Sequence, residues 1–264
     1  MQTHQPTTLV FVPCLSGAPW SPRQLAPYRH RPLRAPRLPE GLAEIEGYAD
    51  HLAASLADLD GPGGYVLVGD SFGANVALAL AVRRPAALRG LVLSGGFAAN
   101  PVTSPLRKGA LRVMGRMRGP LYRGPALRAH ARTLASPHDT DGQVPWSTAD
   151  SRRLFLDHTP ATSYGARLAA AFAADHTDRL HLVEVPTLIL TPSHDVLVGP
   201  HAARVLREGI PDAREVVLQD TGHMFRFTHP DTYGAAVEAF LAERVDPPAA
   251  TAPSDAREAG RAAR

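Results

Sequence analysis

The chain has 264 residues, of which 44% are hydrophobic, and a formal net charge of +3. A chain of this length buries a core without cross-links, and its one cysteine, Cys14, excludes an internal disulfide and a cysteine-based zinc cluster. The net charge is too small for a nucleic-acid-binding surface, and the strong preference for arginine over lysine is attributed to the base composition of the gene.

Residues 8–12 (Thr-Leu-Val-Phe-Val) predict a buried strand that ends at Pro13. The following loop leads into a short helix near residues 21–26, and a weak strand is expected around Leu33 in an Arg- and Pro-rich stretch. This region has no basic leader, and its apolar run is too short for a signal peptide or a membrane span. We therefore expect a cytoplasmic protein without stable membrane insertion.

Residues 40–59 predict an amphipathic helix, because apolar residues recur there at intervals of three and four. These residues are Leu42, Ile45, Ala49, Leu52, Leu56 and Leu59. The glycine-rich stretch 60–64 ends the helix. Because its glycines precede a strand rather than open a helix, they do not predict a nucleotide-binding loop.

The most informative stretch is residues 65–80, in which a buried strand and a helix flank the turn Gly69-Asp70-Ser71-Phe72-Gly73. A Gly-x-Ser-x-Gly sequence in this context presents the serine hydroxyl on a sharp turn. Side chains at the two glycine positions would collide with the neighbouring strand and helix. The turn also places the amide of Phe72 at a helix amino terminus, where it can donate to an anion.

In this stretch the sequence resembles the α/β-hydrolase family, and the resemblance extends over residues 8–245. It implies an α/β fold with a mostly parallel sheet of about six strands flanked by helices. The core would comprise residues 1–97 and 179–245, with a helical cap inserted at residues 98–178. The strand pair that often begins this fold has no room in this chain.

The resemblance also implies an oxyanion hole with two backbone N–H donors. One donor follows the nucleophile and is Phe72. The other belongs to a His-Gly-x loop after the first strand, where this chain has Pro13-Cys14-Leu15. Leu15 is therefore the expected second donor, although Cys14 stands where glycine is usual. Cys14 itself is expected to be a small packing residue.

Residues 88–94 predict a further parallel strand, whereas the stretch 98–178 shows no strand signal. Near its start, a predicted helix has one apolar face, formed by Leu106, Ala110, Val113, Met114, Met117 and Leu121. Basic residues occupy the rest of this helix, and no acidic residue occurs from 101 to 138. The basic side could meet anionic substrates or a membrane surface, or it could simply face water, which we favour because arginine is abundant throughout.

Strand periodicity returns at residues 185–191 and again at 215–218. The resemblance implies an acidic residue after the first of these strands, where Asp195 stands, and a Gly-His pair after the second, where His223 stands. Ser71, Asp195 and His223 follow the chain order expected for this fold. A helix is expected over residues 229–244, and the Pro- and Ala-rich stretch 246–264 predicts a disordered tail.

These residues predict nucleophilic catalysis. His223 would take the proton of Ser71, and Asp195 would orient and stabilise the imidazolium. Four nearby polar residues are weaker candidates: His194, His229, Asp220 and Asp70, of which Asp70 is expected to pack locally or to shape the entrance. Candidates for an apolar pocket are Trp20, Phe97, Met114, Trp146, Phe155 and Met224.

We therefore predict a serine hydrolase that cleaves a small carboxylic ester or thioester through an acyl-enzyme, with no cofactor and no metal. The alternatives are cleavage of a carbon–carbon bond in a diketone-like substrate, a non-enzymatic ligand receptor, and a membrane-associated lipase that uses the basic cap. A haloalkane dehalogenase is disfavoured, because those enzymes carry aspartate at the position of Ser71.

Overall fold

The structure, a computed structural model, describes residues 7–102, 104–138 and 145–246. The described residues form one six-stranded sheet with strand order β2-β1-β3-β4-β5-β6. All neighbouring strands pair in parallel, which confirms the predicted sheet. The strands are β1 (Thr8–Val12), β2 (Leu33–Arg34), β3 (Tyr65–Asp70), β4 (Leu88–Ser94), β5 (Thr187–Pro192) and β6 (Ala213–Leu218).

Helices connect these strands and cover both faces of the sheet, as parallel pairing requires. Outside the segment between β4 and β5, the helices are α1 (Pro22–Leu25), α2 (Ile45–Ser55), α3 (Phe72–Ala81), α9 (Pro200–Gly209), α10 (Phe225–Thr228) and α11 (Pro230–Phe240). The helices between β4 and β5 are α4 (Pro105–Arg116), α5 (Gly119–Leu121), α6 (Leu127–Leu134), α7 (Thr148–His158) and α8 (Ala161–Ala173). Short 3-10 or π segments lie at Ala26–Tyr28, Ala57–Leu59, Tyr122–Ala126, Thr177–Leu182 and Leu241–Val245.

Alternate residues of β1 face opposite sides of the sheet, as the twofold period of a strand requires. Val10 and Val12 pack in a core with α2 and α3, whereas Leu9 and Phe11 pack in a second core with α11. Both faces of this strand are thus buried, which explains why its sequence is continuously apolar rather than alternating. The carboxyl ends of β1, β3 and β5 meet at one edge of the sheet.

Several element boundaries differ from the predictions. The helix predicted over residues 40–59 begins only at Ile45, because Gly41 adopts a left-handed φ of 79° that a helix does not accommodate. Helix α10 was not predicted, since its four residues are too few for a periodic pattern. Asp246, the first residue of the predicted tail, accepts a hydrogen bond from Thr7 and pairs with Arg31. Residues 247–264 of that tail lie outside the described residues.

Much of the predicted apolar face around α4 is exposed, although Met114 and Met117 are half-buried. Leu106 and Val113 are 83% and 56% exposed, and the buried residue of this helix is Gly115. Gly115 faces Gly165 of α8 so closely that a Cβ added to Gly165 would lie 2.1 Å from the carbonyl oxygen of Gly115. This backbone contact between two small residues, rather than the widest apolar stripe, fixes the rotation of α4.

Among the described residues, no helix combines the length and apolar character needed to cross a membrane.

Candidate active site

The turn between β3 and α3 holds Ser71 in a strained conformation, with φ 53° and ψ −110°. Glycines on either side make this possible. A Cβ at Gly69 would lie 2.5 Å from the Cα of Ala74, and a Cβ at Gly73 would lie 2.4 Å from the carbonyl oxygen of Val12. These distances are too short for any side chain, so the two glycines are dictated by the close approach of α3 and β1 to the turn.

The structure brings Ser71, His223 and Asp195 together. His223 Nε2 lies 2.9 Å from Ser71 Oγ, and His223 Nδ1 lies 2.7 Å from Asp195 Oδ2. The three residues come from the ends of β3, β6 and β5 and are between 8% and 9% exposed. The hydroxyl, imidazole and carboxylate therefore form one continuous hydrogen-bonded chain with the order that proton transfer from a serine requires.

Asp195 is held as a carboxylate. Burial raises its pKa, but the contact with His223 and hydrogen bonds from the amides of Leu197 and Val198 outweigh it and lower the pKa below the usual value. Those amides donate to Oδ1 at 2.8 and 3.1 Å, which leaves Oδ2 directed at the imidazole. The carboxylate thus fixes which ring nitrogen carries a proton.

A cavity extends from Ser71 and His223 between the sheet and the helices that lie between β4 and β5. Its wall is almost wholly apolar, and α4, α6, α7 and α8 supply part of it through Leu111, His130, Leu134, Leu154, Phe155, Leu168, Ala171 and Phe172. Of the predicted pocket residues, Phe97, Phe155 and Met224 line this cavity. Trp20 and Trp146 pack elsewhere, against Tyr233 and Phe227.

The backbone amides of Phe72 and Leu15 are available to a ligand. Both residues line the cavity, and neither amide donates to an acceptor within the part of the chain that the structure describes. The carbonyl oxygen of Leu15 accepts a hydrogen bond of 3.0 Å from Nη1 of the buried Arg167. Gly17 makes room for this guanidinium, since a Cβ there would lie 2.6 Å from Nη1.

A second buried arginine lies beneath the nucleophile turn. Arg226 donates from Nε to Asp70 Oδ2 at 2.7 Å, and its guanidinium carbon lies 4.3 and 4.0 Å from the ring centroids of Trp20 and Phe227. Burial lowers its pKa, but the charge of Asp70 and the hydrogen bonds to Cys14 and Asp70 overcompensate and raise it. Asp70 thus makes a long-range ion pair and also lines the cavity, and nothing in the sequence indicated Arg226 as the partner of Asp70 or Arg167 as the partner of Leu15.

The other histidine and aspartate candidates lie apart from this chain of hydrogen bonds. His229 contacts the hydroxyl of Thr228 at 2.9 Å. His194 stacks on His138 with ring centroids 3.7 Å apart. His138, His194 and Asp220 are exposed and offer ligand atoms within 4.8 Å of one another, so among the described residues they are the group that could hold a transition-metal ion.

Comparisons with known proteins agree on the fold. A sequence model of the alpha/beta hydrolase fold matches residues 8–230. The chain is 31% identical over 182 residues to 2-hydroxymuconate semialdehyde hydrolase from Pseudomonas putida, covering 67% of this chain and 62% of that protein. It is 28% identical over 213 residues to pimeloyl-[acyl-carrier protein] methyl ester esterase from Neisseria meningitidis, covering 78% and 64%. The matches thus span less than two thirds of either relative.

Among solved structures, the enol-lactonase from Burkholderia xenovorans LB400 superposes with a TM-score of 0.77. The superposition covers 92% of this chain and 94% of that chain at 22% sequence identity. At this identity the likeness concerns the fold.

Proposed function

The chain belongs to the alpha/beta hydrolase fold family, and from that premise we propose that it is a serine hydrolase that cleaves a carboxylic ester or thioester. The observation that carries the proposal is the hydrogen-bonded chain from Ser71 through His223 to Asp195 at the wall of an apolar cavity. The matched relatives named as an esterase and a hydrolase support hydrolytic chemistry of this kind.

In the first half-reaction, Ser71 Oγ attacks the carbonyl carbon of the substrate while His223 Nε2 takes the hydroxyl proton. The imidazolium so formed donates from Nδ1 to the ionised Asp195, which stabilises the positive charge. When the tetrahedral intermediate collapses, His223 returns the proton to the leaving alcohol or thiol. The acyl group remains on Ser71.

In the second half-reaction, water takes the place of the leaving group. His223 removes a proton from the water as it attacks the acyl carbon, and then returns a proton to Ser71 Oγ. The products are the free acid and the regenerated enzyme, so no cofactor enters the balance.

The developing oxyanion would be bound by the amides of Phe72 and Leu15. Two features support this role: both amides lack a protein acceptor among the described residues, and Phe72 begins helix α3. Arg167 donates a hydrogen bond to the carbonyl oxygen of Leu15 and so restrains the backbone beside the Leu15 amide, the expected oxyanion donor. Replacing one oxyanion donor in a serine hydrolase typically lowers kcat by about 100-fold to 1,000-fold.

Residues 98–178 would act as a cap over the site. The support for this role is that helices from this stretch supply roughly half of the apolar cavity wall above Ser71. Closing the reacting carbonyl away from water strengthens the hydrogen bonds that stabilise charge in the transition state.

The test is turnover of p-nitrophenyl esters, from acetate to decanoate, by the wild type, Ser71→Ala and Ser163→Ala. Ser163 is a matched control because it is a buried serine on α8 outside the cavity wall. We expect turnover in the wild type and in Ser163→Ala and none in Ser71→Ala. Activity that survives in Ser71→Ala would refute the assignment. If none of the three proteins turned over any of these esters, the result would favour cleavage of a carbon–carbon bond or a role as a ligand receptor instead.

A further inference from the structure

His130 is a buried polar residue of the cavity wall that the proposed reaction does not use. It lies on α6, is 5% exposed, and faces the same cavity as Ser71 and His223. The residues around it on this wall are aliphatic or aromatic, among them Leu134, Phe155 and Leu168. The presence of a histidine among apolar side chains calls for a physical explanation, because a buried polar group without a hydrogen-bond partner costs free energy.

Two aromatic rings fix the orientation of the imidazole. Phe155 meets it edge-on with centroids 4.9 Å apart and an interplanar angle of 74°, and Tyr164 does so at 5.6 Å and 87°. The imidazole is therefore packed in a cluster with two aromatic rings that also contact each other, which restricts its orientation. Such preorganisation lowers the entropic cost of binding a ligand to it.

Within the described ranges, the ring nitrogens of His130 have no hydrogen-bond partner. Its carbonyl oxygen accepts a hydrogen bond from Thr133, but neither ring nitrogen bonds to any group in the described residues. The other buried histidines differ in this respect. His176 and His229 contact Arg179 and Thr228 through Nδ1, and His223 is bonded through both nitrogens.

The imidazole is neutral at physiological pH. Burial, together with the nearby charge of His223, lowers the pKa of His130 to about 4. A neutral imidazole offers one N–H donor and one nitrogen acceptor, so it can bind a carbonyl oxygen or a hydroxyl group. No arginine or lysine is among the described wall residues, and the carboxylate of Asp70 is paired with Arg226. The cavity thus favours uncharged ligands.

We propose that His130 is a substrate-binding residue that selects uncharged esters carrying a second oxygen function, a ketone or a hydroxyl, remote from the scissile carbonyl. This inference rests on the proposed function for the ester, but the binding subsite is independent of it. A plain alkyl chain would fill the same cavity and leave the imidazole unpaired. Sites that hydrogen-bond a substrate discriminate strongly against analogues that lack the bonding group, because the buried protein group then loses its partner.

The first experiment compares methyl octanoate with its isomeric series of mono-oxo derivatives, the ketone at each position from C3 to C7. Hydrolysis is followed by proton release, and kcat/KM is measured for the wild type, His130→Phe, His130→Gln and Phe172→Leu. We expect the wild type to prefer at least one oxo isomer by about tenfold over the alkyl ester, the ratio that one satisfied hydrogen bond supplies.

His130→Phe preserves an aromatic ring and should remove this preference, whereas His130→Gln retains a donor and an acceptor and should keep part of it. Phe172→Leu is the matched control, since Phe172 lines the same cavity but makes no ring contact with His130, so its replacement reshapes the wall without disturbing the imidazole. It should change kcat/KM for both kinds of ester in parallel. A preference that is the same in His130→Phe and the wild type, or the absence of preference for every oxo isomer, would overturn the inference.

The second experiment separates this inference from the proposed function. Calorimetry measures the binding of the same esters to Ser71→Ala and to the double variant Ser71→Ala/His130→Phe, where no turnover is required. A binding preference for an oxo isomer that depends on His130 would stand even if the wild type hydrolysed no ester. Hydrolysis of esters without such a binding preference would support the proposed hydrolase function and refute the binding role of His130.

Discussion

The guanidinium of Arg226 and the carboxylate of Asp70 form a buried ion pair that joins the nucleophile turn to the segment after His223. Asp70 directly precedes Ser71, and Arg226 follows His223 by three residues. The pair spans 156 positions in sequence, and its side chains are 1% and 5% exposed. The ion pair thus links the segments that carry Ser71 and His223, two of the three residues proposed for catalysis.

Removing one partner of this pair should destabilise the protein strongly. Arg226→Met would leave the Asp70 carboxylate buried without a counter-charge, and variants of this kind typically lose about 3–5 kcal/mol. Asp70→Asn combined with Arg226→Met should lose less than the sum of the single changes, because no charge then stays buried. Urea unfolding of the single and double variants measures both effects.

The control for this cycle is Arg214→Met. Arg214 pairs with Glu243 at 2.6 Å, but both side chains are more than half exposed, and such pairs contribute about 1 kcal/mol or less. If Arg226→Met were as mild as Arg214→Met, the ion pair would not hold the turn in place.

The sheet and the Ser71 turn could be predicted because their signals are local. A buried parallel strand is a continuous apolar run, and the Gly-x-Ser-x-Gly turn places all its steric requirements within five residues. Contacts between distant residues leave no such signal. Arg226 near Asp70, and Arg167 near Leu15, are ordinary arginines in a chain rich in arginine until the fold buries them.

The same limit explains the error in α4. Its widest apolar stripe suggested a buried face through Leu106 and Val113, but the backbone contact of Gly115 with Gly165 decided its rotation. A glycine has no side chain to contribute to an apolar pattern, so a helix contact made by two glycines is invisible to periodicity. The burial of His130 could not be predicted for a similar reason, because it depends on aromatic neighbours from two other helices, α7 and α8.

His130 should make the protein less stable in mild acid. Its pKa is about 4 in the folded protein, against about 6.5 in an unfolded chain, so between these values the unfolded state binds more protons. The free energy of unfolding should therefore fall as the pH decreases from 6.5 to 4, by on the order of 3 kcal/mol from this residue.

Urea unfolding of the wild type and His130→Gln at pH 7, 5.5 and 4.5 tests this expectation. The variant should show the shallower decline, because glutamine does not titrate. Parallel declines in the two proteins would mean that the buried imidazole does not control acid stability.

Asp195 should also make the protein less stable as the pH falls, but in a lower pH range than His130. Its pKa is lowered in the folded protein, so its contribution is present in full above the unfolded value of about 4 and is lost as the pH falls through the folded value. The stability difference between the wild type and Asp195→Asn should accordingly shrink below about pH 4.

At pH 7, Asp195→Asn should also lose roughly 1,000-fold to 10,000-fold in kcat, because an amide stabilises the wrong imidazole tautomer. Ester turnover within tenfold of the wild type would contradict its proposed role.

The contact between Gly115 and Gly165 should be intolerant of even one methyl group. A Cβ at residue 165 would lie 2.1 Å from the backbone oxygen of Gly115, and neither backbone can yield without moving α4 away from α8. We expect Gly165→Ala to cost about 1–3 kcal/mol in unfolding free energy despite the better helix propensity of alanine. Gly109→Ala on α4 meets no atom within 4 Å and should instead stabilise by about 0.5–1 kcal/mol.

Because α4 and α8 both contribute to the cavity wall, through Leu111 and Leu168, the same displacement should alter which acyl chains are accepted. The optimum in the p-nitrophenyl ester series should therefore shift in Gly165→Ala and stay fixed in Gly109→Ala. A stabilised Gly165→Ala with an unchanged optimum would show that the two helices pack less closely than the backbone contact requires.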